Sequence, residues 1–284
     1  MKLVLSIFAG IDLLGKAFSK NGFCVVKADD LNLDGGDIRD FKAPANRFDA
    51  VIGGSPCQDF SRLNRKPKGY SLEMQNEYIR VVREASPTWF LYENVVGFPH
   101  FEIDGYTQQR FQLDLAWFSP FSRRRDFIFG HKEGVLLNPM IRTNGATKGT
   151  AVTGSDKRSF QTMCEIQGLP KDFDLPFLSL EGKKQAVANA VPMPIGNYLA
   201  ALINSTLYDI EKKESQKIEY KRCSCGCGRI VTGRQLYSGA TCRKRAQRQR
   251  DKRQLQWADQ MKIATGMPQI QIQNILSTYF LDEE

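Results

Sequence analysis

The order of apolar runs and amphipathic stretches predicts an α/β fold: a parallel sheet with helices on both faces, followed by a small basic, cysteine-rich module. Three observations carry this. Strand-like and helix-like segments alternate through the first 130 residues. Turn-forming, polar or reactive residues (Gly10, Asp29, Cys57, Glu93) stand at or just past the carboxyl ends of the strand-like runs, the edge at which open α/β sheets bind ligands. The charge is uneven: residues 221–253 hold 11 Lys/Arg against Asp251 alone, so the rest of the chain nets about −1 of the total +9.

The elements follow in order. Leu3–Phe8 is an apolar run ended by Ala9-Gly10. Leu13, Leu14, Ala17 and Phe18 lie at helical spacing, with Gly22 as the stop. Phe23–Ala28 is a second strand running into Asp29-Asp30, and Phe48–Ile52 a third running into Gly53-Gly54. Leu72–Ala85 is amphipathic and helical, closed by Pro87; Trp89–Tyr92 is a strand ending at Glu93-Asn94, and Asp126–Gly130 another. Residues 131–156 are rich in Gly, Thr, Asn and Lys and read as a loop or very small subdomain. Ile195–Leu207 reads as a helix, 211–221 as a charged linker, 222–253 as the cysteine module and 254–284 as a helical tail with Ile272, Ile275 and Leu276 in register.

With 284 residues and 42% hydrophobic, the chain has material for one large domain, or one plus a small one. The 11% aromatic content excludes wholesale disorder. The apolar run Leu3–Ile11 is far short of a bilayer span and lacks a cleavage site, so it reads as a core strand; no membrane association is expected. Seven cysteines are an odd number, and four of them crowd into 20 residues, which suits a reducing compartment and a metal cluster better than disulfides.

Four local patterns bear chemistry, each ordinary alone. Ser6–Ile11 is a strand, a glycine turn and a helix start, which lets backbone approach a ligand. In Gly53-Gly54-Ser55-Pro56-Cys57-Gln58-Asp59-Phe60-Ser61, a thiol is held in a proline-stiffened loop past a strand end. Glu93-Asn94-Val95 puts a carboxyl at the end of a hydrophobic strand, where burial keeps it protonated and able to donate a hydrogen bond. Ser122-Arg123-Arg124-Arg125-Asp126-Phe127 brings a basic run into a strand, with Arg123 and Arg125 on one face.

In this order and spacing the patterns resemble the C5-cytosine DNA methyltransferase family, over about residues 1–205. SIFAGIDLLGKAFSKNGF resembles the family's cofactor loop, GGSPCQDFS its nucleophile loop, LYENVVG its Glu-Asn-Val motif and SRRRDFIFG its Arg-x-Arg motif. TMCEIQGLPKDF and AVANAVPMPIG resemble its two late motifs. The resemblance implies a Rossmann-like, S-adenosylmethionine-dependent enzyme that methylates C5 of cytosine in double-stranded DNA, with the base flipped out of the helix. Cys57 would add to C6, Glu93 would hydrogen-bond or protonate N3, Asn94 would fix the loop and the base, and Arg125 with Arg123 would hold O2. For the cofactor it implies Phe8, Ala9 and Gly10 at the methionine end, Asp29 or Asp30 on the ribose (Asp30 slightly favoured), Asp37 and Ile38 beside the adenine, Pro56 near the methionine, and Asn189 in the late motif that completes the site. A cytoplasmic enzyme is implied, in a host cell where the compact form is phage-borne. The sequence leaves the recognised site and the oligomeric state open.

The chain departs from the pattern at Asp12-Leu13, where glycines are usual, at Phe121, near the place of a glutamine, and at Ala188, in place of a glycine. The region expected to recognise target sequence, 131–156, is far shorter than in typical members. Two other readings follow: methylation of RNA cytosine or of a modified base, and a decayed methyltransferase acting as a zinc-dependent DNA-binding protein.

The module itself offers Cys223, Cys225, Cys227 and Cys242, four soft ligands suited to structural zinc. Thr241–Arg250 then reads as a basic helix, suited to phosphates and expected to supplement the short recognition region.

Overall fold

The computed structural model describes residues 2–28, 36–60, 66–139, 147, 149–150, 152–153, 156–217, 221–231 and 235–265. The chain divides into two units, Met1–Asp209 and Ile210–Glu284.

The first unit is built on a six-stranded sheet of order β2-β1-β3-β4-β7-β5. Its strands are β1 (Leu3–Ile7), β2 (Cys24–Lys27), β3 (Ala50–Gly53), β4 (Trp89–Val95), β5 (Thr107–Asp114) and β7 (Arg124–His131). The short strands β6 (Phe121–Ser122) and β8 (Gly149–Thr150) pair apart from it, in parallel. The helices are α1 (Leu13–Lys20), α2 (Tyr70–Ala85), α3 (Phe160–Gln167), α4 (Leu180–Asn189) and α5 (Met193–Lys217).

The first four strands of the sheet are parallel, as the sequence predicts. The other two correct the expectation of an all-parallel sheet, because β7 runs antiparallel to both β4 and β5. Among the described residues no α-helix lies between β4 and β7 to carry a parallel crossover; the chain leaves along β5, turns through Leu115–Trp117 and returns beside it.

Helices cover both faces. One apolar cluster joins Val4, Ile52 and Phe129 of the sheet to Leu13 and Phe18 of α1, Met163 of α3, Val187 of α4 and Ile195 of α5. The other joins Leu5, Val51, Tyr92 and Ile128 to Met74, Tyr78 and Val82 of α2. Alternate residues of each strand feed alternate clusters, the period-two pattern of a sheet buried on both sides.

Leu180–Ile210 is apolar and long enough, by composition, to cross a membrane. The stretch is broken by Ala190–Pro192 and just over half buried, with Ile195, Leu199 and Ile203 in the core, as expected of core helices. Residues 211–217, read from sequence as part of a charged linker, continue α5.

In the second unit β9 (Lys221–Arg222) and β10 (Ile230–Val231) form an antiparallel pair, and α6 spans Ala240–Thr265, well beyond the predicted basic stretch. Ile272, Ile275 and Leu276 lie outside the described residues.

Candidate active site and cysteine cluster

The carboxyl ends of β1, β3 and β4 converge on one cavity of about 510 Å³. Because β7 is antiparallel, its first residues reach the same edge: Arg125 pairs with Val95 in the β4–β7 register. The segment from Leu178 to Ala190 supplies the remaining wall. Cys57, Glu93, Arg123 and Arg125 line this cavity together with Phe8, Ala9, Gly10, Asp37, Ile38, Pro56 and Asn189.

Strand β4 extends past Tyr92 to Val95, so Glu93 and Asn94 lie within it and project to opposite faces. Glu93 lines the cavity and pairs with Arg125, Oε1 to Nε at 2.9 Å. Burial raises the Glu93 carboxyl above the usual range against the opposing charges of Arg125 and Arg123. Gly54 is required beside it: a Cβ there would stand 2.6 Å from both the Glu93 carbonyl oxygen and Oε2.

Burial also raises the Cys57 thiol, and the charge of Glu93 raises it further, with Arg125 and Arg123 acting the other way. Raised above its ordinary value, the thiol is protonated at neutral pH.

Arg123 is buried, and burial, then the neighbouring Arg125, lower its guanidinium to about 9, still charged at neutral pH. Its Nη1 donates to the Val152 carbonyl at 2.7 Å, and its Nη2 to the carbonyls of Ala188 at 2.6 Å and Ala190 at 3.4 Å. Its Nε has no hydrogen-bond partner among the described residues. Arg123 thus fastens the stretch after β8 and the end of α4 to the start of β7.

Asn94 is buried and is not among the cavity-lining residues. Its Nδ2 donates to the Tyr92 hydroxyl at 2.8 Å and to the Ser55 carbonyl at 3.2 Å, tying β4 to the loop that carries Cys57. Asp59 does the same at the other end of that loop: its carboxylate accepts from the amides of Lys68 and Ser71 at 3.0 and 2.9 Å, at the start of α2.

Phe8 and Gly10, at the turn after β1, have positive φ of 51° and 52°. For a bulky residue such as Phe8 this is a strained conformation. A Cβ at Gly10 would meet none of the described residues within 4 Å, so the space over the turn is open to them. Asp12, one of the departures, is the N-cap of α1: its carboxylate accepts from the Gly15 amide at 3.0 Å and the Ser6 hydroxyl at 2.8 Å. Asp12 is not part of the cavity lining.

Asp37 pairs with Arg39, whose hydrogen bonds and charge hold its carboxyl down to about 2. Asn189 accepts from Gln185 Nε2 at 3.0 Å. Asp29 and Asp30 lie outside the described residues. Sequence reasoning missed Tyr70, Met74, Leu178, Gly182 and Gln185, which also line the cavity. Their one sequence signal is helical: they sit at or near the starts of α2 and α4, and only the sheet order brings those helix starts to this edge.

In the second unit the Sγ atoms of Cys223, Cys225, Cys227 and Cys242 all lie within 4.8 Å of one another. Cys223 and Cys225 are 3.4 Å apart and Cys227 and Cys242 3.8 Å. Ligands about 2.3 Å from a tetrahedral zinc would stand about 3.8 Å from each other, so the donor set and spacing fit that ion. Cys242 and Ala246 anchor α6 in the small core, while Arg243, Lys244, Arg245, Arg248, Lys252 and Arg253 are exposed.

Residues 4–113 match the family model for C-5 cytosine-specific DNA methylases. Among curated proteins, the chain is 31% identical over 173 residues to the type II methyltransferase M.SacI of Streptomyces achromogenes, covering 52% of this chain and 43% of that one. It is 26% identical to the type II methyltransferase M.XorII of Xanthomonas oryzae, covering 63% and 53%, and 26% identical to the orphan methyltransferase M.SPRI of Bacillus phage SPR, covering 47% and 35%. The alignments span about a third to a half of each relative's length.

Among solved structures, a protein from an Escherichia coli prophage, described as a DNA modification methyltransferase, superimposes with a TM-score of 0.54 at 16% identity, over 73% of this chain and all of that one. The Dnmt2 methyltransferase of S. pombe gives 0.51 at 13% identity, over 74% of this chain and 99% of that one. These two likenesses bear on the fold alone, which is that of a methyltransferase. The match over residues 4–113 and the alignments with curated methyltransferases support a place for this chain in the C-5 cytosine-specific DNA methylase family.

Proposed function

We propose that the chain transfers a methyl group from S-adenosylmethionine to C5 of cytosine in duplex DNA. The observation that carries this reading is the gathering of Cys57, Glu93 and Arg125 in one cavity with the Phe8–Gly10 turn and Asn189. Its volume suits a cofactor-sized molecule, with apolar walls from Phe8, Ile11 and Ile38 and a few polar groups. S-adenosylmethionine, when bound, supplies an electrophilic methyl group.

Cytosine C5 is a poor nucleophile, and the residues present answer that. The Cys57 sulfur adds to C6 as a thiolate, and the ring electrons move toward N3. Glu93 donates a proton or hydrogen bond at N3, and Arg125 holds O2. C5, now electron-rich, would take the methyl group as its bond to the sulfonium sulfur breaks, leaving that sulfur as a neutral thioether. Loss of the C5 proton and elimination of the Cys57 sulfur restore the aromatic ring. Reaching the base requires flipping it out of the duplex.

One carboxyl links base binding to nucleophile activation. While ionised, Glu93 disfavours the Cys57 thiolate. A neutral Glu93, hydrogen-bonded to N3, no longer does so, and the charges of Arg123 and Arg125 then favour the thiolate.

The second unit in this reading is a zinc module. Cys223, Cys225, Cys227 and Cys242 hold the ion, and the basic residues of α6 neutralise phosphates and supplement the short 131–156 segment. The departures at Asp12 and Ala188 are compatible with an active enzyme: one caps a helix, the other offers its carbonyl to Arg123.

The test is covalent trapping. The protein is incubated with S-adenosylmethionine and duplex DNA containing 5-fluorocytosine, beside Cys57→Ser. Fluorine cannot leave as a proton does, so an adduct dependent on Cys57 is expected. An adduct on RNA alone, or DNA binding without an adduct, would overturn the reading.

A further inference from the structure

We propose that Tyr92 is a positioning residue for the nucleophile, acting through Ser55. This rests on the reading of Cys57 as the nucleophile. Tyr92 is fully buried on β4, paired in register with Gly53 of β3. Its ring is wedged edge-on among Tyr78, Phe98 and Phe101, with centroids 4.7, 5.2 and 5.1 Å away. Ring packing of this kind fixes where the hydroxyl stands.

That hydroxyl lies 2.6 Å from Ser55 Oγ and accepts from Asn94 Nδ2 at 2.8 Å. With Asn94 donating to the phenol oxygen, the phenol proton is available to Ser55. Ser55 is buried as well, and Asn94 Nδ2 also donates to its backbone carbonyl at 3.2 Å. Side chain and main chain of Ser55 are thus both held to β4, two residues before Cys57, with Pro56 stiffening the span between.

A buried hydroxyl without a partner is costly, so the pair holds Ser55 against β4. Glu93, the group that must act together with Cys57, sits between Tyr92 and Asn94 on the same strand. The latch therefore fixes the thiol relative to its acid partner, the kind of alignment on which reaction rates depend steeply.

The experiment is a double-mutant cycle of Tyr92→Phe and Ser55→Ala in the full chain, with two readouts. The first is steady-state methyl transfer. The second is the rate of Cys57 alkylation by iodoacetamide, followed on its own peptide by mass spectrometry. Each single variant is expected to lower kcat about tenfold with KM for DNA and S-adenosylmethionine unchanged, and to alkylate Cys57 faster than wild type because the loop is looser. The double variant should match Tyr92→Phe, since both substitutions remove the Ser55–Tyr92 hydrogen bond and Tyr92→Phe alone also removes the bond from Asn94 to the Tyr92 hydroxyl. Wild-type kcat and wild-type alkylation in Tyr92→Phe, or additive effects in the double variant, would overturn the proposal. Alkylation reads the latch whether or not cytosine is methylated, so failure of the catalytic reading shows separately, as a wild-type protein without transferase activity.

Discussion

Replacing Arg123 by Met keeps the stem and removes the guanidinium. Two carbonyls, of Val152 and Ala188, then lose donors that stood at 2.7 and 2.6 Å. The third, of Ala190, keeps a donor in Gln167 Nε2 at 3.1 Å. Hydrogen bonds to a charged group contribute about 1.5–3 kcal/mol each, so the gross loss is about 3–6 kcal/mol. Against it stands the cost of keeping a charge buried, which the substitution removes; the lowered pKa, and an Nε without a partner among the described residues, show that cost to be real.

The net destabilisation is then about 2–4 kcal/mol. With a urea slope of about 2–3 kcal/mol/M for a unit of this size, the midpoint should fall by about 1 M. The assay is tryptophan fluorescence in a Trp257→Phe background, so that Trp89 and Trp117 of the first unit report. A midpoint within about 0.2 M of the parent would refute the reasoning and leave Arg123 free to serve substrate alone.

Glu93→Gln removes the negative charge that raises the Cys57 thiol, so alkylation of Cys57 at neutral pH should accelerate several-fold while methyl transfer collapses; slower alkylation would contradict the electrostatics. Burial raises the folded-state pKa of Asp12, so its contribution to stability is present below the unfolded carboxyl's pKa and is lost as pH rises through the folded value. Asp12→Asn, which can also cap α1, should therefore gain on wild type as pH rises from about 4 to 7, by no more than about 1 kcal/mol, in pH-resolved denaturation curves. Chelation should remove helical circular dichroism from the second unit and leave the Trp89 signal unchanged, with zinc restoring the loss; full helicity in the chelator would exclude a structural metal. Substituting Arg245, Arg248 and Lys252 by Ala should weaken binding across DNA sequences alike and reduce the salt slope by about 0.9 for each phosphate no longer neutralised, measured by anisotropy at several salt concentrations.

The parallel half of the sheet was legible because β1, β3 and β4 are apolar on both faces and end in glycines or acids. Strand β5 was not: Thr107, Gln108, Gln109 and Arg110 are polar, as befits the edge of a sheet, and leave no period-two pattern. The direction of β7 was hidden too, since periodicity carries no sense of direction. In the site, Cys57, Glu93 and Arg125 could be read as motifs, and the structure brings them together. The hydrogen bonds of Arg123 could not, because its acceptors are main-chain carbonyls 29 and 65 residues away, and every residue type supplies a carbonyl. The capping role of Asp12, a departure from the pattern at that position, was hidden for the same reason: its partner, the Gly15 amide, is likewise anonymous in sequence.

The reversed strand β7 also bears on how such a protein could be re-engineered. Its far end, at His131, pairs with Trp89 and Thr107, at the opposite edge of the sheet from Cys57. The segment that follows departs from that remote edge and comes home at β8, where Gly149 and Thr150 pair with β6 and Arg123 clasps Val152. Both moorings are thus independent of the length between them, and neither is a reacting group. A longer segment spliced between Pro139 and Gly149 would inherit a fixed point of departure and a fixed point of return. Lengthening this segment becomes a problem of grafting, with the cavity at the other edge left undisturbed.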